Sequence, residues 1–326
     1  MSEPRDIRLR VEDRPGTDYA RGRVVWDPVR SLWWSGHAGV AVAFGPAFAG
    51  WDALAVWLAL SVVTLCGGHS LGMHRRLIHN SFGCPRWLER LGVWLACLVG
   101  LGGPMTMMRA HDLRDWAQRS TSCHPFFSQH DTLLRDTWRQ LHCRFELDVP
   151  PRFHFPASLS GDPVMVWLQR TSMLQNALLG LALFPFGGWA WVVWGVSVRV
   201  AVSMLGHSLV GWFAHNRGHQ GFTKPGAAVQ GFDVRGMSLL TFGESYHSNH
   251  HAFPESADFA LLPGQWDAGY WVLRRLERLG LAWDLRGPEL RDGETLPVPT
   301  AHSPPAPTPA PAPPPPPRWS ASPRTR

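Results

Sequence analysis

Four stretches of this chain are apolar enough to cross a bilayer, and they fall into two pairs. Ser31 to about Phe48 (SLWWSGHAGVAVAFGPAF) and Trp51 to about Gly72 (WDALAVWLALSVVTLCGGHSLG) form the first pair. Leu174 to Phe186, with the residues before it, and Trp189 to about Phe213 form the second. A spanning helix needs roughly 20 apolar residues, so the ends of the first and third stretches are placed loosely. The turns inside each pair, around Ala49 to Trp51 and Pro185 to Gly188, contain no Lys or Arg, whereas the outer flanks are dense in Arg. Positive residues stay on the cytoplasmic side. The pattern therefore predicts an all-α membrane protein of four transmembrane helices, with both termini and the central region in the cytoplasm.

A fifth apolar stretch, Trp87 to Met108, is interrupted by Glu89, Arg90 and a Gly-Gly-Pro. A crossing here would put the histidines before it and after it on opposite sides of the membrane. An interfacial or re-entrant helix keeps them together, and the interfacial reading is adopted. The segment Ala117 to Gly161 is polar, aromatic and histidine-containing, as expected of a helical cytoplasmic cap. Residues 1–30 form a basic cytoplasmic arm, residues 31–287 the membrane domain, and residues 288–326 a tail. From about Leu296 that tail is so rich in proline that neither helix nor sheet ladder can form, and it is expected to be disordered.

Composition sharpens this picture. The 18 tryptophans fit rings seated at membrane interfaces. The net charge of +6 is mostly arginine flanking apolar stretches, so it does not argue for nucleic acid. Five cysteines without a CxxC pair exclude a zinc ribbon, a ferredoxin-type cluster and a disulfide scaffold. No apolar signal segment opens the chain.

The chemistry lies in the placement of the 16 histidines. The second apolar stretch runs into GMHRRLIHNSF, which puts His74 and His79 just past the membrane. Five positions on a regular helix is roughly 140° of rotation. The two rings could serve neighbouring metals, or one metal if the helix unwinds between them. Near the other end stands GESYHSNHHAFP, with His247, His250 and His251. Offsets of three and four bring these rings to one helical face, where neutral imidazoles suit iron, zinc or copper. In GHSLVGWFAHNRGHQGF, the residues His207, Gly211, His215 and His219 recur every four positions. Taken singly, a histidine at a helix end is ordinarily a hydrogen-bonded interface residue. Arg199 lies deeper in the same stretch, where an ionisable group is costly and normally faces a polar interior.

His74-xxxx-His79 after a span, together with HxNHH inside GESYHSNHHAFP, resembles the membrane fatty acid desaturases, most nearly the acyl-CoA delta-9 type of bacteria. DPVMVWLQR, LLTFGE and the HxxGHxxF form of His215 to Phe222 are also similar, and the resemblance covers about Ser31 to Gly287. It implies four spans and a cytoplasmic cap holding two irons, which activate O₂ to remove hydrogens from an acyl chain. It further implies metal ligands at His74, His79, His111, His215, His247, His250 and His251, and supporting roles for Arg199, His207 and Asn249.

Two positions depart from the family pattern. The second box, HRxHH in the family, reads His111-Asp112-Leu113-Arg114-Asp115. Arg114 cannot ligate, whereas Asp115 can, as an eighth ligand. Gly211 stands where the family has asparagine, and His207 is the residue expected to reach toward that vacancy.

The leading expectation is O₂-dependent desaturation of a fatty acyl chain carried on CoA or a lipid. A lipid or alkyl hydroxylase with a similar site, a metal-poor lipid-binding protein and a haem-binding membrane protein are the alternatives. The chain shows no Rossmann fingerprint, iron–sulfur cysteine set or haem motif. Electrons are therefore expected from an external donor such as ferredoxin and its reductase. The location expected is the bacterial inner membrane.

Overall fold

The computed structural model describes residues 7–289 and 298–299, and the fold is mostly helical. Helix α1 spans Pro28–Phe44; its first turn is set by proline, and Asp27 accepts a hydrogen bond from the Arg30 amide at 3.0 Å. Helix α2 runs over Trp51–Ile78, 28 residues containing an 18-residue segment of mean hydropathy 1.7. A third helical stretch, Pro163–Asn216, covers 54 residues and contains an 18-residue segment of mean hydropathy 1.6. Asp162 caps its start, accepting from the Val164 amide at 2.8 Å. Both stretches are long and apolar enough to cross a membrane.

The longer stretch is folded back on itself. Gly188 has φ 55° and ψ −148°, a backbone that breaks the helical path. A Cβ on Gly180 would touch Val192 and Val196 at 3.6 Å, and the Phe184 and Trp189 rings lie 5.1 Å apart. Residues twelve apart on a straight helix would be about 18 Å apart. The stretch is therefore an antiparallel hairpin, here α6 (residues 163–187) and α7 (residues 189–216). The outward side chains of these helices are apolar: Val42 is 78% exposed, Trp51 87% and Phe186 78%. Such a surface is costly in water and suited to lipid.

The stretch Trp87 to Met108 is also a hairpin. Helix α3 (Arg86–Leu98) packs along α2 so closely that a Cβ on Gly72 would lie 2.5 Å from the Gly92 carbonyl carbon. Only glycines permit that approach. The chain reverses through Gly100 (φ 96°) and Gly102 (φ 133°) into helix α4 (Pro104–Arg119). Arg199, buried within α7, donates to the Leu98 carbonyl and to Asn176 Oδ1, each at 2.7 Å, and fastens the bend to α6 and α7. The histidines before and after the hairpin consequently meet at one end of the molecule.

Within the first thirty residues, the described part from residue 7 onward is built into the cap. Strand β1 (Val11–Glu12) pairs with β4 (Arg152–Phe153), and β2 (Gly22–Trp26) with β3 (Cys143–Leu147), both antiparallel. Helix α5 (Leu133–His142) leads into β3. Arg10 is 2% exposed and grips Asp112 through two contacts of 2.6 and 2.9 Å. Of the proline-rich tail, Val298–Pro299 (β6) pairs with Phe222–Thr223 (β5); residues 290–297 and 300–326 lie outside the described residues.

Candidate metal centre

From Val63 to Ile78, the cap-side part of α2, the backbone leaves regular α-geometry. The His79 amide bonds the His74 carbonyl at 3.0 Å, a turn that closes over five residues. That wide turn brings His79 back to the side His74 occupies, which a regular helix would not do. His111 reaches in from α4, and His250 from helix α8 (His247–Ala252). The four ligand atoms lie within 4.8 Å of one another. His111 Nε2 is 3.2 Å from His74 Nε2 and 3.3 Å from His79 Nε2. Behind the rings stand carboxylates. Glu244 Oε2 lies 2.6 Å from His74 Nδ1, while Asp112 Oδ1, held by Arg10, is 3.4 Å from His111 Nδ1. Phe259, fully buried, packs against His250 and His74 with ring centroids 5.0 and 5.8 Å away.

Among the described residues a second group joins His215 of α7 with His247 and His251 of α8. His247 Nε2 is 3.1 Å from His215 Nε2 and 3.0 Å from His251 Nε2. The triplet on α8 thus divides, although its spacing suggested that all three rings converge on one point. Relative to residue 247, offsets of three and four turn a helix by about −60° and +40°, so His250 and His251 fan to opposite sides. Two supports fix α8. Asp233 Oδ1 accepts from the Ser248 amide at 2.9 Å, and the buried Asn249 donates to the Phe259 carbonyl at 2.6 Å.

Burial favours the neutral form of His215, His247, His250 and His251. Burial pushes His247 and His250 well below the ordinary imidazole range and His251 to about 4. Burial would raise Glu244, yet His74 and Arg75 beside it bring it to about 2. Asp115 likewise resists burial, with Arg119 and then His111 holding it well below the carboxylate range. Burial lifts Asp233 to about 6.

These residues fit a pair of transition-metal ions. Imidazole nitrogens sit about 2.0–2.1 Å from a zinc-like ion, so nitrogens 3.0–3.3 Å apart are spaced like neighbours around one. His250 Nδ1 is buried with no hydrogen-bond partner, an unsatisfied lone pair or proton that a ligand role would use. Imidazole suits iron, copper and zinc alike.

The remaining sequence candidates fall as follows. Asp115 is buried with its carboxylate 3.1 Å from Arg119, outside both histidine groups. His207 stacks edge-on against His69 at 5.1 Å and does not enter the space beside Gly211. Gln129 fills that space: a Cβ on residue 211 would come within 2.8 Å of its Oε1. Arg114 donates to Gln129 Oε1 at 3.0 Å and to Gln140 Oε1 at 2.6 Å. Glu244, Asp112, Arg10, Gln118 and Gln129 escaped the sequence reading. Glu244 alone carried a signal, as the only acid within GESYHSNHHAFP.

Comparison with known proteins gives a consistent result. A sequence model described as "Fatty acid desaturase" matches residues 49–276. The sn-1 stearoyl-lipid 9-desaturase of Anabaena variabilis is 32% identical over 265 residues, covering 79% of this chain and 93% of its own. That of Synechocystis sp. is 30% identical over 256 residues, 77% of each chain. An acyl-CoA 5-desaturase of Anemone leveillei is 29% identical over 241 residues, 72% of each.

Proposed function

This chain belongs to the fatty acid desaturase family, and from that premise we propose that it introduces a double bond into a fatty acyl chain by an O₂-dependent diiron reaction. One CH₂–CH₂ unit, O₂, two electrons and two protons would become CH=CH and two waters. The observation that carries this reading is the convergence of seven buried or half-buried imidazoles into two adjacent groups at one end of long apolar helices. His74, His79, His111 and His250 would hold one iron; His215, His247 and His251 would hold the other, with Asp115 the further carboxylate within the cap. The irons would supply the oxidising chemistry. The protein's own part is to keep His215, His247, His250 and His251 neutral, to orient His74 through Glu244 and His111 through Asp112, and to shield the centre from water with Phe259. Arg199, His207 and Asn249 serve as supports.

The membrane arrangement follows from length. At the regular α-helical rise, helix α2 would be at most about 42 Å long against a hydrocarbon core of about 30 Å, so a helix entering at Trp51 emerges no earlier than about Leu71, close to His74. We place α1, α2, α6 and α7 as four spans in a bacterial inner membrane, both termini in the cytoplasm. The substrate would be an acyl lipid or acyl-CoA, and electrons would come from an external donor such as ferredoxin with its reductase.

The test is expression in a host lacking this activity, with its acyl chains analysed by mass. A loss of two hydrogens supports desaturation; a gain of one oxygen would assign the chain to hydroxylation. Protein that binds no iron and leaves lipids unchanged would make it a metal-poor lipid-binding relative, the reading that Arg114 in place of a ligand favours.

A further inference from the structure

The two histidine groups differ in more than number. In the first, four ring nitrogens converge, and the backs of His74 and His111 face the carboxylates of Glu244 and Asp112. A carboxylate behind an imidazole fixes its tautomer and strengthens its lone pair. In the second group His215 Nδ1 faces a backbone carbonyl instead, that of Gly211 at 2.8 Å. Gln129 Oε1 lies 3.1 Å from the same nitrogen and is itself engaged by the Arg114 guanidinium. Through its Nε2 the same amide donates to the buried Asp136 carboxylate at 2.9 Å, so no carboxylate touches this ring and both the Arg114 cation and the Asp136 anion reach it only through one amide.

Gln118 adds a second difference. It is 2% exposed, and its Nε2 lies 3.1 Å from His215 Nε2 and 2.8 Å from the Phe127 carbonyl. Since His215 Nδ1 must carry the proton that Gly211 accepts, Nε2 offers a lone pair. The Gln118 amide donates to that lone pair, which is the one a metal ion would need. Turning the amide over would set its oxygen against the Phe127 carbonyl, so the donor orientation is fixed. The nitrogen also stands at ligand-to-ligand distance from His215, where a fourth donor to this group would sit.

We propose that the two metal positions are unequal: the His74, His79, His111 and His250 position binds its ion tightly, whereas the His215, His247 and His251 position binds a labile one that Gln118 must release. This rests on the dimetal reading above. The full-length protein in detergent, loaded anaerobically with Fe(II), is challenged with chelators of graded strength, and retained iron and thermal unfolding are measured. One iron per chain should leave at chelator strengths about 100-fold below those that remove the other. Gln118→Glu puts a carboxylate oxygen where the amide donates, and should tighten the labile iron by about 10–100-fold. Glu244→Gln should loosen the tight iron by a similar factor and leave the labile one alone. Gln118→Leu, which only removes the donor, decides the matter if the glutamate variant does not fold. Two irons leaving together, or folded Gln118 variants that release iron as the wild type does, would overturn the inequality. A folded wild type that binds no iron at all would instead end the dimetal reading.

Discussion

His250 and His251 adjoin in the chain but serve different histidine groups, with ring centroids 6.2 Å apart. One short helix therefore holds both halves of the centre, and its two neighbouring ligands can be removed independently. His250→Ala should abolish the tightly held iron and His251→Ala the labile one, and both should abolish desaturation. Iron counted after chelator exchange checks this; identical iron loss in the two variants would contradict the division of α8.

Arg10 and Asp112 form a fully buried ion pair that joins the N-terminal segment to the helix bearing His111. Removing one partner of such a pair typically costs about 3–5 kcal/mol. Arg10→Ala should lower the thermal midpoint markedly and weaken iron binding. Arg10→Met combined with Asp112→Leu should recover much of the stability but not the iron. A thermal midpoint for Arg10→Ala equal to wild type would show the pair to be incidental.

The α2–α3 contact gives a matched pair of variants. A Cβ at Gly72 would meet backbone at 2.5 Å, whereas one at Gly67 would meet only the end of Leu95 at 3.5 Å. Gly72→Ala should abolish folded, metal-binding protein, while Gly67→Ala should be nearly neutral. Size-exclusion profiles and iron content distinguish the two, and equal tolerance would mean that the helices are not in backbone contact.

Burial beside Asp267 lifts the Asp258 carboxyl to about 6, against about 3.9 in an unfolded chain. The folded protein thus binds more protons than the unfolded one between these values, and stability falls as pH rises through about 6. Asp258→Asn should raise the thermal midpoint at pH 8 and raise it far less at pH 4.5, nearer the unfolded value. The same shift at both pH values would remove titration as the cause.

Reporters fused to the two ends should both read as cytoplasmic, because the four spans proposed for α1, α2, α6 and α7 are an even number and α3–α4 turns back. A periplasmic C-terminal reporter would require an odd number.

Much of the site could be read from residue spacing, since metal-binding histidines repeat in patterns packing rarely produces. The seven histidines the family resemblance singled out are the seven the fold gathers. Three things could not be read in advance. Whether His74 and His79 meet depends on a backbone hydrogen bond that closes over five residues, and no side chain announces it. The division between His250 and His251 depends on what surrounds α8, and the space beside Gly211 is filled from Gln129, 82 positions earlier, by a contact with no local signature. The apolar patterning located α2 and the α6–α7 hairpin but missed the close glycine packing of α3, whose charged first turn looked merely interfacial. Arg10 looked like one more flanking charge because burial is a property of the finished fold.

The five-residue turn between His74 and His79 makes this stretch sensitive to chain length in a way substitutions would not reveal. Deleting one residue between them, Leu77 for instance, would let the backbone fall back into ordinary four-residue hydrogen bonding, locally the more comfortable state. The same deletion would leave His74 and His79 four positions apart, about 40° round a regular helix and still on one face. An added residue, in contrast, would carry His79 about 100° further round and away from its partners. At this point the chain holds one residue more than a regular helix wants, and the wide turn absorbs that surplus while keeping two ligands of a single helix on the same side.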